Sequence, residues 1–116
     1  MSENDCLFCK MSSGDFQVDM VHQDDRVFAI RDIAPRAPVH VLIIPREHLA
    51  SAREISEDRH AALLAHMVAV GNSVAEEMDL AQRGYRLTFN VGEDGGQTIY
   101  HLHMHLLGRR ALGAEG

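Results

Sequence analysis

From position 101 to 107 the chain reads His-Leu-His-Met-His-Leu-Leu. In a β-strand successive side chains point to opposite faces, so this spacing puts His101, His103 and His105 on one face. Leu102, Met104 and Leu106 then point into a core. The segment demands a sheet with one buried side and a row of imidazoles on the other. Imidazole changes charge near neutral pH, so three of them in register form a nucleophile, a proton relay or a metal site more readily than a stable surface. The three readings at this point are a solvated strand face, a catalytic metal centre and nucleophilic catalysis by a neutral ring.

The rest of the chain supplies a frame for that strand. At 116 residues there is room for one core, and residues 1–116 are read as a single domain. Short alternating or apolar runs predict strands over Val18–His22, Val27–Arg31, Val39–Ile44, Tyr85–Val91 and Thr98–Leu107. Asp32–Pro38 is a loop, and Pro45 stops the third strand. Ser56 is placed as a helix cap, with Glu57 and Asp58 in the first turn. Leu63, Met67, Val70, Val74 and Met78 recur at helical spacing, so Glu57–Met78 is one amphipathic helix. A short helix is expected within Arg46–Ile55, and a frayed tail over 109–116. The fold class is α+β: a five-stranded antiparallel sheet with one long and one short helix.

Charge and apolar runs exclude several functions. The net charge is −6 and no basic stripe is present, which argues against general nucleic-acid binding. Val41-Leu42-Ile43-Ile44 is far too short to cross a bilayer. The acidic start has no signal-peptide pattern, so the expected location is cytoplasmic. Cys6 and Cys9 form a C-x-x-C spacing ahead of the first hairpin, which reads equally as half a metal site or as two thiols. His22, His60 and His66 are expected to face solvent.

Neighbouring residues favour phosphoryl chemistry. Gly95-Gly96-Gln97-Thr98 precedes the histidine strand, and Asn90 projects from the polar face of the strand before it. Glycine lets backbone N–H groups approach an oxyanion, and Gln, Thr and Asn side chains donate to one. That is a neutral donor array beside an imidazole, suited to holding phosphate without many lysines.

The stretch 101–107 resembles the His-φ-His-φ-His-φ-φ signature of the histidine triad (HIT) family. Asn90–Tyr100, Asp32–His40 and Ile43–His48 resemble its Hint branch in order and spacing, and the likeness runs from about Cys6 to Gly108. The resemblance implies a dimeric enzyme that cleaves the P–N bond of purine nucleoside phosphoramidates through a nucleotidyl-histidine intermediate. The alternative within the same chemistry is hydrolysis of dinucleoside polyphosphates or nucleotidyl transfer. By the same resemblance His103 matches the nucleophile and His105 the phosphate contact and proton shuttle. His40 matches a further active-site imidazole, and Thr98 the proton donor to the leaving group. Asn90 and Gln97 match phosphate contacts, and Asp32 the acceptor of the ribose hydroxyls. Phe8, Ile30, Ile33 and Leu42 match the slot for the base. The expected partners are a purine nucleotide and a second copy of the chain. Cys6, Cys9, His48 and His101 match the ligands of one structural zinc, with a metal-binding segment over about 1–15. A full Cys2His2 set leaves no open position for a reacting water. The family's Gly-Gly-Arg after the triad is replaced here by Gly108-Arg109-Arg110.

Overall fold

A computed structural model describes residues 5–114. Its elements are α1 (Leu7–Ser13), β1 (His22–Gln23), β2 (Val27–Arg31), β3 (Val39–Pro45), a single 3-10 turn (Ala52–Glu54), α2 (Glu57–Glu77), β4 (Tyr85–Thr88) and β5 (Met104–Gly108). The five strands form one antiparallel sheet in the order β1-β2-β3-β5-β4. The α+β class and the strand count agree with the sequence reading. Among the described residues no helix is long and apolar enough to cross a membrane.

Alternation along the strands divides the apolar residues between two cores. Val27 and Ala29, Val39, Val41 and Ile43, and Met104 and Leu106 face α2, where they pack on Met67, Val70, Val74 and Ala75. Ser56 caps α2 through its side chain, which accepts from the Arg59 amide. Gly71 lets α2 approach closely: a Cβ there would sit 2.9 Å from Met104 Cε and 3.1 Å from Leu87 Cδ2. On the other side Phe28, Ile30, Leu42 and Ile44 form a second core with Cys6, Phe8 and Met11 from the N-terminal segment. Sequence reading gave that face to chemistry alone. The structure covers part of it with α1, a helix too short to show a periodic stripe.

Several boundaries differ from expectation for physical reasons. The first strand shrinks from Val18–His22 to two residues. The expected helix in Arg46–Ile55 reduces to the 3-10 turn, whose Ser51 side chain accepts from Arg53 N. The fourth strand stops at Thr88. The histidine strand begins only at Met104, because β3 pairs with it from Ile43↔Met104 to Val39↔Gly108 and Pro45 ends β3 just beyond. Residues 101–103 therefore have no ladder partner. Leu102 N instead donates to Leu49 O at 2.6 Å.

The solvent-facing assignment for three histidines is corrected. His22 Nε2 and His66 Nε2 lie 2.7 and 2.8 Å from the same oxygen, Oδ2 of Asp24. Asp24 Oδ1 accepts from the amides of Arg26 and Val27. Burial works against ionisation of this carboxyl, but those four hydrogen bonds outweigh it and hold its pKa well below the usual carboxylate range. Arg46 Nε donates to Asp24 O, and its Nη1 donates to Ser12 O, so the turn before β2 joins α1, α2 and the end of β3. His60 is buried, and its Nδ1 accepts from Ser56 N at 3.0 Å.

The tail beyond β5 turns sharply. Arg109 sits at φ 70°, a left-handed conformation that favours glycine. Its Nη2 donates to Met78 O at the end of α2, which partly offsets that strain. Residues 1–4 and 115–116, the outer ends of the expected N-terminal segment and tail, lie outside the described residues.

Candidate active site

The imidazoles divide into two groups, and backbone carbonyls decide how. His103 is 9% exposed, and its Nδ1 lies 2.7 Å from the carbonyl oxygen of His101. A carbonyl only accepts, so Nδ1 carries the proton and Nε2 keeps its lone pair. Burial pushes the His103 pKa below the ordinary imidazole value, against the His101 carbonyl and Asp32, which favour the cation. A neutral ring with a fixed lone pair is what nucleophilic attack requires.

A hydrogen-bonded chain runs beside it. Arg36 N donates to His40 Nδ1 at 3.1 Å, which places the His40 proton on Nε2. His40 Nε2 then faces His105 Nδ1 at 2.9 Å, with Asp32 Oδ2 at 3.5 Å as a second acceptor. His105 in turn carries its proton on Nε2, and Asn90 Nδ2, 3.4 Å away, is a second donor beside it rather than its partner. The sheet register produces this contact: His105 pairs with Leu42 and His40 lies two residues along the same face. Burial, then the charges of His103 and His40, lowers the His105 pKa to about 4. His40 is lowered too, chiefly by burial, with Asp32 opposing. The chain Arg36–His40–His105 ends on an outward N–H beside the lone pair of His103, whose ring centroid is 5.1 Å from that of His105.

The second group gathers around His101. Its Nε2 lies 2.7 Å from Pro45 O and must donate to it, so Nδ1 is left with a lone pair. That nitrogen stands 3.2 Å from Cys6 Sγ, 3.5 Å from Cys9 Sγ and 3.1 Å from His48 Nδ1. His48 Nδ1 is 3.2 Å from Cys9 Sγ. All four ligand atoms lie within 4.8 Å of one another. Two thiols and two imidazole nitrogens converging at these separations match the edges of a tetrahedron with bonds of about 2.0–2.3 Å. The residues fit a metal ion. The carbonyl of Pro45 supplies the outer partner that orients a ligating histidine. Cys6 also caps α1, accepting from Cys9 N at 3.4 Å.

Asp32, His40 and His105 form another group of ligating atoms within 4.8 Å. Here the tautomer argues against a metal. Arg36 N–H commits His40 Nδ1 as an acceptor, so Nε2 holds a proton and offers the group no lone pair.

Other expected residues separate. Phe8, Ile30 and Leu42 lie together in the second core, and Phe8 meets the rings of His101 and His103 edge-on at centroid distances of 5.8 and 5.3 Å. Ile33 does not join them: it is fully exposed. Gln97 is buried, but its amide is committed to the loop. Its Nε2 donates to Ala50 O and Ile99 O, and its Oε1 accepts from Gly92 N. It shapes the 92–99 loop rather than offering an N–H to a ligand. Thr98 is exposed on that loop. Asp32 is partly exposed, with Oδ1 accepting from Ala34 N. A cavity of about 350 Å³ opens beside Asp32 and His40, lined also by Arg31, Pro35, Pro38 and Arg109. Sequence reading missed the Arg36 amide and the Pro45 carbonyl, because backbone groups leave no side-chain signature.

Comparison with known proteins finds likenesses in sequence and in fold. The family model for the HIT domain matches residues 14–112. The purine nucleoside phosphoramidase of Escherichia coli is 44% identical over 107 residues, covering 92% of this chain and 89% of that protein. A HIT family hydrolase from Clostridium thermocellum superposes with a TM-score of 0.90 at 46% identity, covering 96% of each chain. A histidine triad protein from Clostridium difficile gives a TM-score of 0.91 at 38% identity, over 99% of this chain and 100% of that one.

Proposed function

Because the chain belongs to the HIT domain family and is a hydrolase, we propose that it cleaves purine nucleoside phosphoramidates through a covalent intermediate on His103. The observation that carries this reading is the pair of opposed tautomers. His103 presents a lone pair at Nε2, while His105, held through His40 by the Arg36 amide, presents an N–H. One attacks phosphorus and the other donates to a phosphoryl oxygen.

In the first step His103 Nε2 forms a bond to the α-phosphorus and the P–N bond breaks. The leaving nitrogen takes a proton relayed from solvent through the exposed Thr98 hydroxyl, so Thr98 stays neutral. The nucleotidyl-imidazole keeps its Nδ1–H, so the ring is cationic and the His101 carbonyl stabilises it. In the second step water attacks phosphorus and the bond to His103 breaks. The water's proton returns to solvent through the same hydroxyl, and the nucleoside monophosphate leaves. His105 Nε2–H and the Asn90 amide hold the phosphoryl oxygens in both steps. Asp32 accepts from the ribose hydroxyls, and Phe8, Ile30 and Leu42 back the base.

Cys6, Cys9, His48 and His101 hold one structural zinc, which ties α1 to the end of β3 and to the segment before β5. When bound, the ion supplies cross-linking and no reacting water, because the four protein ligands fill a tetrahedral set.

The active form is a homodimer. β4 is the edge of the sheet, with no strand among the described residues pairing its outer side, and α2 lies beside it. Mass measurement by light scattering at micromolar concentration tests this, and a monomer would refute it.

Incubation with an adenosine phosphoramidate tests the reaction. The expected result is release of adenosine monophosphate by the wild type and a loss of more than about 10⁴-fold in His103→Ala, beyond what acid–base assistance alone supplies. Turnover of the variant near the wild-type rate would sink the mechanism.

A further inference from the structure

We propose that Arg31, Arg83, Arg109 and Arg110 form a second anion site, apart from His103, for a ligand carrying two or more linked phosphates. The chain is acidic overall, with a net charge of −6. Antiparallel pairing nevertheless gathers these arginines at one end of the fold. Arg31 closes β2, where it pairs with Val41. Gly108, the last residue of β5, pairs with Val39 on one side and Tyr85 on the other. Arg109 and Arg110 therefore emerge between the start of β3 and Arg83, which lies just ahead of β4. No basic run appears in the sequence because three separate segments supply the charges.

Two cavities open there, and they share a wall. The one of about 350 Å³ is lined by Arg31 and Arg109. A second, of about 220 Å³, is lined by Arg83, Arg109 and Arg110. Arg109 belongs to both. A single phosphate fills one cavity, whereas a chain of linked phosphates reaches both sets of guanidiniums. Guanidinium suits that ligand, because its planar fork donates two parallel N–H groups to phosphate oxygens. Asp32 lines the larger cavity and Asp79 the smaller. Among the described residues neither forms an ion pair with an arginine; the partner of Asp32 is His40.

Capping of α2 accounts for only part of this cluster. Arg109 Nη2 donates to Met78 O at the end of the helix, a role that any cation there can fill. It does not explain an arginine at φ 70°, where glycine would sit without strain. Nor does it explain Arg31 and Arg83, whose guanidiniums have no hydrogen bond or ion pair among the described residues. Arg110 is held in place by carbonyls: its Nε and Nη2 donate to Arg36 O at 3.2 and 2.9 Å, and its Nη1 to Ala111 O at 3.1 Å. Carbonyl partners fix Arg109 and Arg110 without cancelling their charge. The site is thus preorganised before an anion arrives.

The test titrates the full chain, labelled with ¹⁵N at arginine, with inorganic triphosphate. Excess adenosine monophosphate is present throughout to occupy a nucleotide pocket at His103. The Nε–H signals are assigned by their loss in single arginine variants. Those of Arg31, Arg83, Arg109 and Arg110 are expected to move together, with one midpoint below about 1 mM. Arg53, ahead of α2, and Arg59, in its first turn, should not move. Inorganic phosphate should need at least about tenfold more, the scale of one lost charge-assisted contact. Arg109→Gly removes the shared guanidinium and relieves the backbone, so the fold stays intact by circular dichroism. Triphosphate binding, followed at Arg31 and Arg83, should weaken in that variant by about tenfold or more. Should Arg109→Gly fail to fold, Arg83→Gln on the exposed surface gives the same loss, read at Arg31 and Arg109. Four unmoved signals, shifts that include Arg53 and Arg59 equally, or an affinity unchanged in the variant would each overturn the proposal.

Discussion

His40 Nε2 and His105 Nδ1 lie 2.9 Å apart across β3 and β5, and the Arg36 amide behind His40 gives that contact a direction. Because Nδ1 of His40 must accept, the proton between the two rings belongs to His40, and His105 shows its own proton to the pocket. A diagonal pair on one sheet face thereby becomes a polarised donor.

The acid limb of activity should lie well below the ordinary imidazole range. His105 is lowered to about 4, first by burial and then by the charges of His103 and His40, and His103 is lowered by burial. Log kcat/KM is expected to stay flat from neutral pH downward and to fall as pH approaches 4. A limb centred near 6.5, the unperturbed value, would contradict this reading.

Stability should move the same way. In the unfolded chain these imidazoles take up protons as pH falls through about 6.5, while in the folded chain they stay neutral to lower pH. The unfolded state then binds more protons, so stability declines as pH drops from about 6.5 toward 4. Urea midpoints at constant slope across that window measure it; a midpoint that rises on acidification would contradict it.

How much of this was legible in the sequence depends on which atoms do the work. The strand alternation placed His103 and His105 correctly, and the periodic stripe from Leu63 to Met78 placed α2. The alternation holds at His101 too, with Leu102 in the same core as Met104 and Leu106, but the role of that ring does not follow from it. The ring faces the thiols, with Nδ1 3.2 Å from the sulfur of Cys6, a partner 95 residues away that strand periodicity cannot name. The helix at Leu7–Ser13 was illegible because seven residues carry no period and its cap is a cysteine thiol rather than a Ser or Asp. Gln97 was read as a phosphate donor from its chemistry, but its amide is consumed by three backbone groups. His22 and His66 looked like surface residues because their shared partner, Asp24, is far from His66 in sequence.

Asp24→Asn should destabilise the fold without affecting catalysis. Asparagine presents a neutral oxygen to two imidazole donors and two amides where a carboxylate now stands. The expected loss is about 1–3 kcal/mol, the cost of leaving such groups poorly paired. Urea denaturation checks the stability, and an unchanged kcat/KM checks the separation from the active site. A variant as stable as the wild type would refute the role given to Asp24.

Metal removal should cost stability. Zinc analysis is expected to find about one ion per chain, and Cys9→Ser to lower that occupancy. Chelation should lower the melting temperature by roughly 10 °C, the shift that about 2 kcal/mol produces in a domain of this size. Full occupancy in Cys9→Ser, or a melting temperature indifferent to chelation, would remove Cys9 from the ligand set.

The most direct measurement asks whether phosphorus is ever bonded to His103. Rapid acid-free denaturation during turnover of an adenosine phosphoramidate, followed by peptide mass spectrometry, should find adenylate on the peptide containing His103 and none in His103→Ala. The configuration at phosphorus, read with a chiral phosphorothioate analogue, should be retained, because two displacements each invert it. Inversion at phosphorus with no adduct on His103 would mean that water attacks in a single step, and would contradict the covalent mechanism.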